Sequence, residues 1–158
     1  MDLEWNGPVV LGEEGLPSGP GVYKVAAFDE TKGAYFMFPR LLDNDDGGIL
    51  CIGKARVLPT RLDQFLRSFD QRGTGKRYCL HSEANLLRML HSFTAFAEVF
   101  RKCKLHVFYC ILTDGRTLHE QECHAFREYV ERFGEVPPVN ASFPGRYTTW
   151  PASDEAKR

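Results

Sequence analysis

Cys51-Ile-Gly-Lys-Ala-Arg-Val-Leu-Pro-Thr-Arg61-Leu-Asp-Gln-Phe-Leu-Arg-Ser-Phe69 is the stretch whose reading decides the fold. An apolar run from Gly48 to Ile52 reads as a short strand, followed by a turn at Gly53. Leu62, Phe65, Leu66 and Phe69 then recur at i, i+3, i+4 and i+7, which is one apolar face of a helix. Arg61 precedes the first apolar position and lies at the edge of the buried stripe. Lys54 and Arg56 lie in the turn before it. The stretch is a strand-to-helix junction with cations on it.

Working outward, residues 1 to 18 hold Pro8, Gly12, Gly15 and Pro17, an irregular lead-in with a short strand at Val9 to Leu11. Pro20-Gly21 opens a strand over Val22 to Phe28, and Ala34 to Phe38 is a second aromatic strand ending at Pro39. Asp43-Asn-Asp-Asp-Gly-Gly48 is turn sequence leading back into Ile49. These pieces predict an antiparallel hairpin or meander with an insertion.

After the Arg61 helix comes Arg72-Gly-Thr-Gly-Lys-Arg77, a basic loop that lacks the full phosphate-cradle pattern and follows a helix rather than a strand. Ser82 reads as the N-cap of a long helix whose apolar face is Leu86, Leu87, Leu90, Phe93, Ala97 and Phe100. Lys104 to Leu112 is a third core strand, bounded by Thr-Asp-Gly115.

The last helix runs from about Thr117 to Phe133 and is stopped by Gly134 and Pro137-Pro138. At 100° per residue, Leu118, Ala125, Phe126, Tyr129 and Phe133 all fall within about 60° of Glu122. A carboxylate in an apolar stripe costs several kcal/mol unless a cation compensates it. Glu122 therefore pairs with an internal Lys or Arg, sits where the helix emerges from the core, or holds a metal ion.

A chain of 158 residues suits one domain with a real core, since this length buries roughly 68–70% of the unfolded surface. The net charge of −1 does not mark a nucleic-acid binder. The local distribution is different. Between Lys54 and Arg77 the basic residues are Lys54, Arg56, Arg61, Arg67, Arg72, Lys76 and Arg77, against Asp63 and Asp70 alone. No apolar run reaches a membrane-spanning length and the N-terminus lacks the pattern of a signal peptide, so a cytoplasmic location without a membrane partner is expected. The five cysteines form no Cys-x-x-Cys pair and read as reduced, mostly buried thiols.

Several of these separated pieces resemble the GIY-YIG nuclease superfamily. Gly21-Val22-Tyr23 resembles the first half of its name motif, and Cys51-Ile52-Gly53-Lys54-Ala55 the second, with Cys where the family usually carries Tyr. Arg61 lies where the family has its catalytic arginine, Glu122 resembles its metal-binding glutamate, and Pro138-Val139-Asn140 its closing asparagine. Counting back from Asn140 would choose Glu128 instead, but Ala125 and Phe126 after Glu122 are apolar, which favours Glu122.

The resemblance covers residues 19 to 141, leaving 142 to 158 as a tail. It implies a small α+β domain with a central antiparallel β-sheet flanked by helices, as the elements themselves suggest. It also implies a metal-dependent DNA endonuclease using one Mg²⁺ or Mn²⁺ on Glu122. Arg61 would meet the phosphate, Tyr23 would be the base or water-positioning group, and Lys54 and Cys51 would assist, with Gly21, Gly53 and Asn140 in support. Lys54, Arg56, Arg67, Arg72, Lys76 and Arg77 would contact nucleic acid. A homodimer or larger complex would supply a second site for cutting both strands. The alternative is a catalytically impaired domain that binds nucleic acid or protein.

Two other patterns carry less. His119-Glu-Gln-Glu-Cys123 lacks the second histidine of a zinc-protease helix, and His106 inside a strand reads as structural.

Overall fold

The computed structural model describes residues 3–69, 82–112 and 115–144. In chain order the elements are β1 (Asn6–Val10), β2 (Gly21–Asp29), β3 (Ala34–Tyr35), β4 (Phe38–Pro39), β5 (Asn44–Asp45), β6 (Ile49–Ala55), α1 (Leu58–Phe69), α2 (Ser82–Leu90), α3 (Thr94–Phe100), β7 (Cys103–Ile111) and α4 (Leu118–Phe133). The result is an α+β domain whose antiparallel sheet runs β1-β7-β2, with β6 and β3 both pairing the far side of β2.

β2 lies at the centre because both of its faces are covered. Tyr23, Val25 and Ala27 join the core under α1 and α2, while Val22 and Ala26 join the core under α4. A strand buried on both faces needs no polar alternation, which is why its sequence runs through apolar and small residues. Gly21 is required by close approach, since a Cβ there would strike the Cys110 carbonyl oxygen of β7.

The structure alters the sequence reading in four places. Gly53 is not a turn: β6 continues through it to Ala55, because Tyr23 stands opposite Gly53 and covers the space a side chain would take. The lead-in contributes β1, which pairs β7 at Val9↔Val107 and carries Pro8, tolerated on an edge strand. Ala34 to Phe38 divides into β3 and β4, and β4 pairs β5 in a small separate ribbon.

The expected long helix from Ser82 to Phe100 breaks into α2 and α3. Where it breaks, the side chains of His91 and Ser92 take the carbonyls of Leu87 and Met89 at 2.8 and 2.6 Å, and the backbone N–H groups of Ser92 and Phe93 bond three residues back. Side chains competing for the last carbonyls end a helix.

The insertion between β2 and β6 is clamped to the end of α4. Asp45, 1% exposed, accepts from the N–H groups of Gly47 and Ile49, each at 3.0 Å, and from the Tyr129 hydroxyl at 2.8 Å. Arg40 pairs with Glu135 at 3.1 Å and donates to the Val136 carbonyl at 2.9 Å. α4 itself is bounded by a capping box between Thr117 and Glu120 and by Gly134 in the left-handed region. Among the described residues no helix is long and apolar enough to cross a membrane.

Candidate active site

β6 is an outer strand of the sheet, and the segment after α4 closes much of its open edge. The Val139 N–H donates to the Leu50 carbonyl at 2.9 Å. The Asn140 side chain then imitates a strand: Oδ1 accepts from the Ile52 N–H at 2.9 Å and Nδ2 donates to the Ile52 carbonyl at 3.0 Å. That pair satisfies one residue of an edge that would otherwise stay unpaired. Immediately beyond, at Gly53 and Lys54, the edge opens into a cleft of about 330 Å³.

Tyr23, Lys54, Arg61, Glu122 and Asn140 all line this cleft, together with Ile52, Gly53, Glu83 and Phe126. The cleft straddles β6. Tyr23 belongs to the core under α1, whereas Phe126 belongs to the core under α4, and Gly53 between them has no side chain to divide the space. Arg61 comes from the first turn of α1 and Glu122 from the second turn of α4. Residues distant in sequence therefore meet because the α1 and α4 layers reach the same edge.

Glu122 is 9% exposed, so its charge needs compensation. Lys54 provides it, with Nζ 2.8 Å from Glu122 Oε2. The same ammonium lies 3.3 Å from His119 Nδ1, and that nitrogen is 3.8 Å from Glu122 Oε2. Arg61 hydrogen-bonds the Tyr23 hydroxyl and reaches Gln64 Oε1 at 3.5 Å. Burial, then the nearby Cys51, push the Tyr23 phenol far above its ordinary range, with Arg61 pulling the other way. At neutral pH Tyr23 is a protonated phenol.

Other expected residues fall elsewhere. Cys51 does not line the cleft. It stands opposite Val25 on β2, 1% exposed in the core under α1, and burial holds its thiol well above the usual range. Gly21 acts through packing against β7. Arg67 is exposed and paired with Asp63 at 2.9 Å, one helical turn away. Arg56 is exposed just past β6. Arg72, Lys76 and Arg77 lie outside the described residues. Glu128, the rejected alternative to Glu122, accepts from the Leu3 N–H at 3.3 Å and sits against His124. His106 is structural, stacked on Phe28 and hydrogen-bonded to the Tyr35 hydroxyl at 3.0 Å.

Three participants were not read from the sequence as site residues. Glu83 lines the cleft from the first turn of α2. His119 joins the Lys54–Glu122 pair; its i, i+3 spacing to Glu122 was the available signal. Gln121 is fully buried and donates to the Ile111 carbonyl at 3.0 Å and the Cys110 carbonyl at 3.3 Å, fixing α4 on β7 beside Glu122.

Among the described residues no group of three or more His, Cys, Asp and Glu side chains is placed to hold a metal ion. The donors present suit an ion that keeps most of its waters, as Mg²⁺ and its relatives do when bound through one or two side chains. They do not form a closed cage. The chain matches none of the family models, curated proteins or solved structures with which it was compared.

Proposed function

We propose that the protein is a divalent-metal-dependent DNA endonuclease of the GIY-YIG type. One observation carries this reading: Tyr23, Lys54, Arg61, Glu122 and Asn140, drawn from separate parts of the chain, line one cleft. Phosphodiester hydrolysis needs positive charge at the non-bridging oxygens and an oriented water. Arg61 supplies a fixed guanidinium whose planar fork suits two phosphate oxygens. Tyr23, held by that guanidinium, orients the water or the phosphate as a hydroxyl, because deprotonating a buried phenol is too costly for it to act as the base. Glu122 would hold Mg²⁺ or Mn²⁺, which supplies further positive charge to the reacting phosphate. Asn140 positions Gly53 and Lys54 through the backbone of Ile52. Arg56, exposed just past the end of β6, and the basic stretch through Arg77 would meet the DNA backbone.

A second reading, a domain that binds nucleic acid without cutting it, draws on Cys51. Its thiol is buried and does not line the cleft, where the family usually carries a phenol. Nicking of supercoiled plasmid separates the two readings. Wild type should nick in Mg²⁺ or Mn²⁺, and Glu122→Ala or Arg61→Ala should each lower the rate by about 10²- to 10³-fold, the usual loss on removing a charge-stabilising group. Cleavage that persists in both variants would eliminate the endonuclease reading.

A further inference from the structure

Lys54 in this structure marks a place where the protein already holds a cation. Its ammonium contacts Glu122 Oε2 at 2.8 Å and His119 Nδ1 at 3.3 Å. A lysine ammonium only donates, so His119 Nδ1 must be the acceptor, with its proton on Nε2. The lone pair of that imidazole therefore points to the same cation as the carboxylate.

The two acceptors lie three residues apart on α4, a spacing that puts both on one helix face and recurs in metal-binding helices. They are 3.8 Å apart, too far to share a proton. One ion bound at about 2.1 Å to each would need a separation of about 3.0–3.5 Å, which small rotamer adjustments reach. His119 has room for them, since its side chain is 55% exposed.

The adjacent thiol is not a third donor. Cys123 Sγ lies 3.7 Å from His119 Nε2 but gives its hydrogen to the Pro144 carbonyl at 3.1 Å. Burial, with Glu122 next in effect, pushes that thiol upward, away from the thiolate a metal would require.

We propose that His119 and Glu122 form a two-donor site for a first-row transition-metal dication, and that the Lys54 ammonium competes with the ion for both donors. An imidazole beside a carboxylate favours such ions over Mg²⁺, which prefers oxygen ligands alone. The inference rests on the endonuclease reading only for the use of the ion; the site itself can be tested without DNA.

The test is Mn²⁺ titration of the full chain followed by electron paramagnetic resonance, with pulsed spectra reporting coupling to ¹⁴N. Wild type should show nitrogen coupling that disappears in His119→Ala. Mn²⁺ affinity in that variant should fall at least about ten-fold, the loss expected for even an outer-shell partner. Mg²⁺ affinity, read by competition, should change much less, and Lys54→Met should tighten Mn²⁺ binding several-fold. Mn²⁺ binding that depends on Glu122 but shows no nitrogen coupling would overturn the His119 assignment and leave the endonuclease reading standing. Weaker Mn²⁺ binding in Lys54→Met would overturn the competition. Absence of Mn²⁺ binding in wild type would overturn the two-donor site, whereas the endonuclease reading would still be decided by Mg²⁺-dependent plasmid nicking.

Discussion

Gly53 and Tyr23 show how one residue type governs another across a strand pair. A Cβ on Gly53 would lie 2.5 Å from the Tyr23 hydroxyl oxygen and 2.6 Å from the carbon bearing it. Gly53→Ala must therefore displace the ring that Arg61 holds. An overpacked site of this kind costs about 1–3 kcal/mol. A displacement approaching 1 Å can slow a positioned reaction about 10²-fold. Plasmid-nicking rates and urea unfolding of this variant check both effects; wild-type nicking would show that the ring position is unimportant. Cys51 follows the opposite logic. Because its side chain lies in the core and not in the cleft, Cys51→Tyr should not restore a catalytic phenol. It should lower stability by about 1–3 kcal/mol through overpacking, seen as a lower melting temperature. Enhanced nicking by this variant would contradict the placement of Cys51.

At the scale of elements, the edge of β6 is maintained by a side chain acting as a strand. Asn140→Ala removes both of its hydrogen bonds to Ile52 and leaves that N–H and carbonyl without their partner. The expected loss is about 1–3 kcal/mol. Asn140→Asp should recover little of it, because a carboxylate cannot donate to the Ile52 carbonyl. Urea midpoints of the two variants measure this, and equal stability of wild type and Asn140→Ala would mean that the Val139 backbone bond alone secures the edge. The insertion has a comparable anchor in Asp45, whose two buried hydrogen bonds, from the Ile49 N–H and the Tyr129 hydroxyl, join the start of β6 to α4. The two elements that carry Lys54 and Glu122 are thus tied together at some distance from the cleft.

For the whole molecule, buried acids of high pKa set the alkaline limit. Tyr23, Tyr129 and Cys51 are each raised above their ordinary values of 10.0, 10.0 and 9.0, chiefly by burial, with Asp45 adding to the effect on Tyr129. In the unfolded chain these groups lose protons near their ordinary values while the folded state retains them. Their stabilising contribution is complete below about pH 9 and is lost as pH rises above it. Lys24, lowered to about 8 by burial, works in the opposite sense with a single proton. Urea midpoints should therefore rise slightly between about pH 8 and 9, where Lys24 alone titrates, and fall above about pH 10, where both tyrosines ionise in the unfolded chain, with Tyr129→Phe showing a shallower fall. A midpoint rising between about pH 10 and 11 would contradict the burial of these groups.

Much of this arrangement was legible in the sequence. Apolar spacing located α1 and α4 and placed Arg61 at the rim of one and Glu122 inside the face of the other. The apolar runs located β2, β6 and β7, since period and composition are local properties of an element. The long helix was misread because the capping by His91 and Ser92 depends on side-chain conformation rather than on period. Gly53 was read as a turn because a lone glycine does not reveal that an aromatic ring crosses over it.

Only the tertiary structure decided that Lys54 neutralises Glu122, that His119 joins them, that Cys51 turns into the core, and that Asn140 reads the backbone of Ile52. Periodicity tells which side of an element is buried. Which side chains then share that space follows from sheet order, with β6 at the edge beside β2 and both helix layers reaching it, and sheet order is set by packing between segments far apart in the chain.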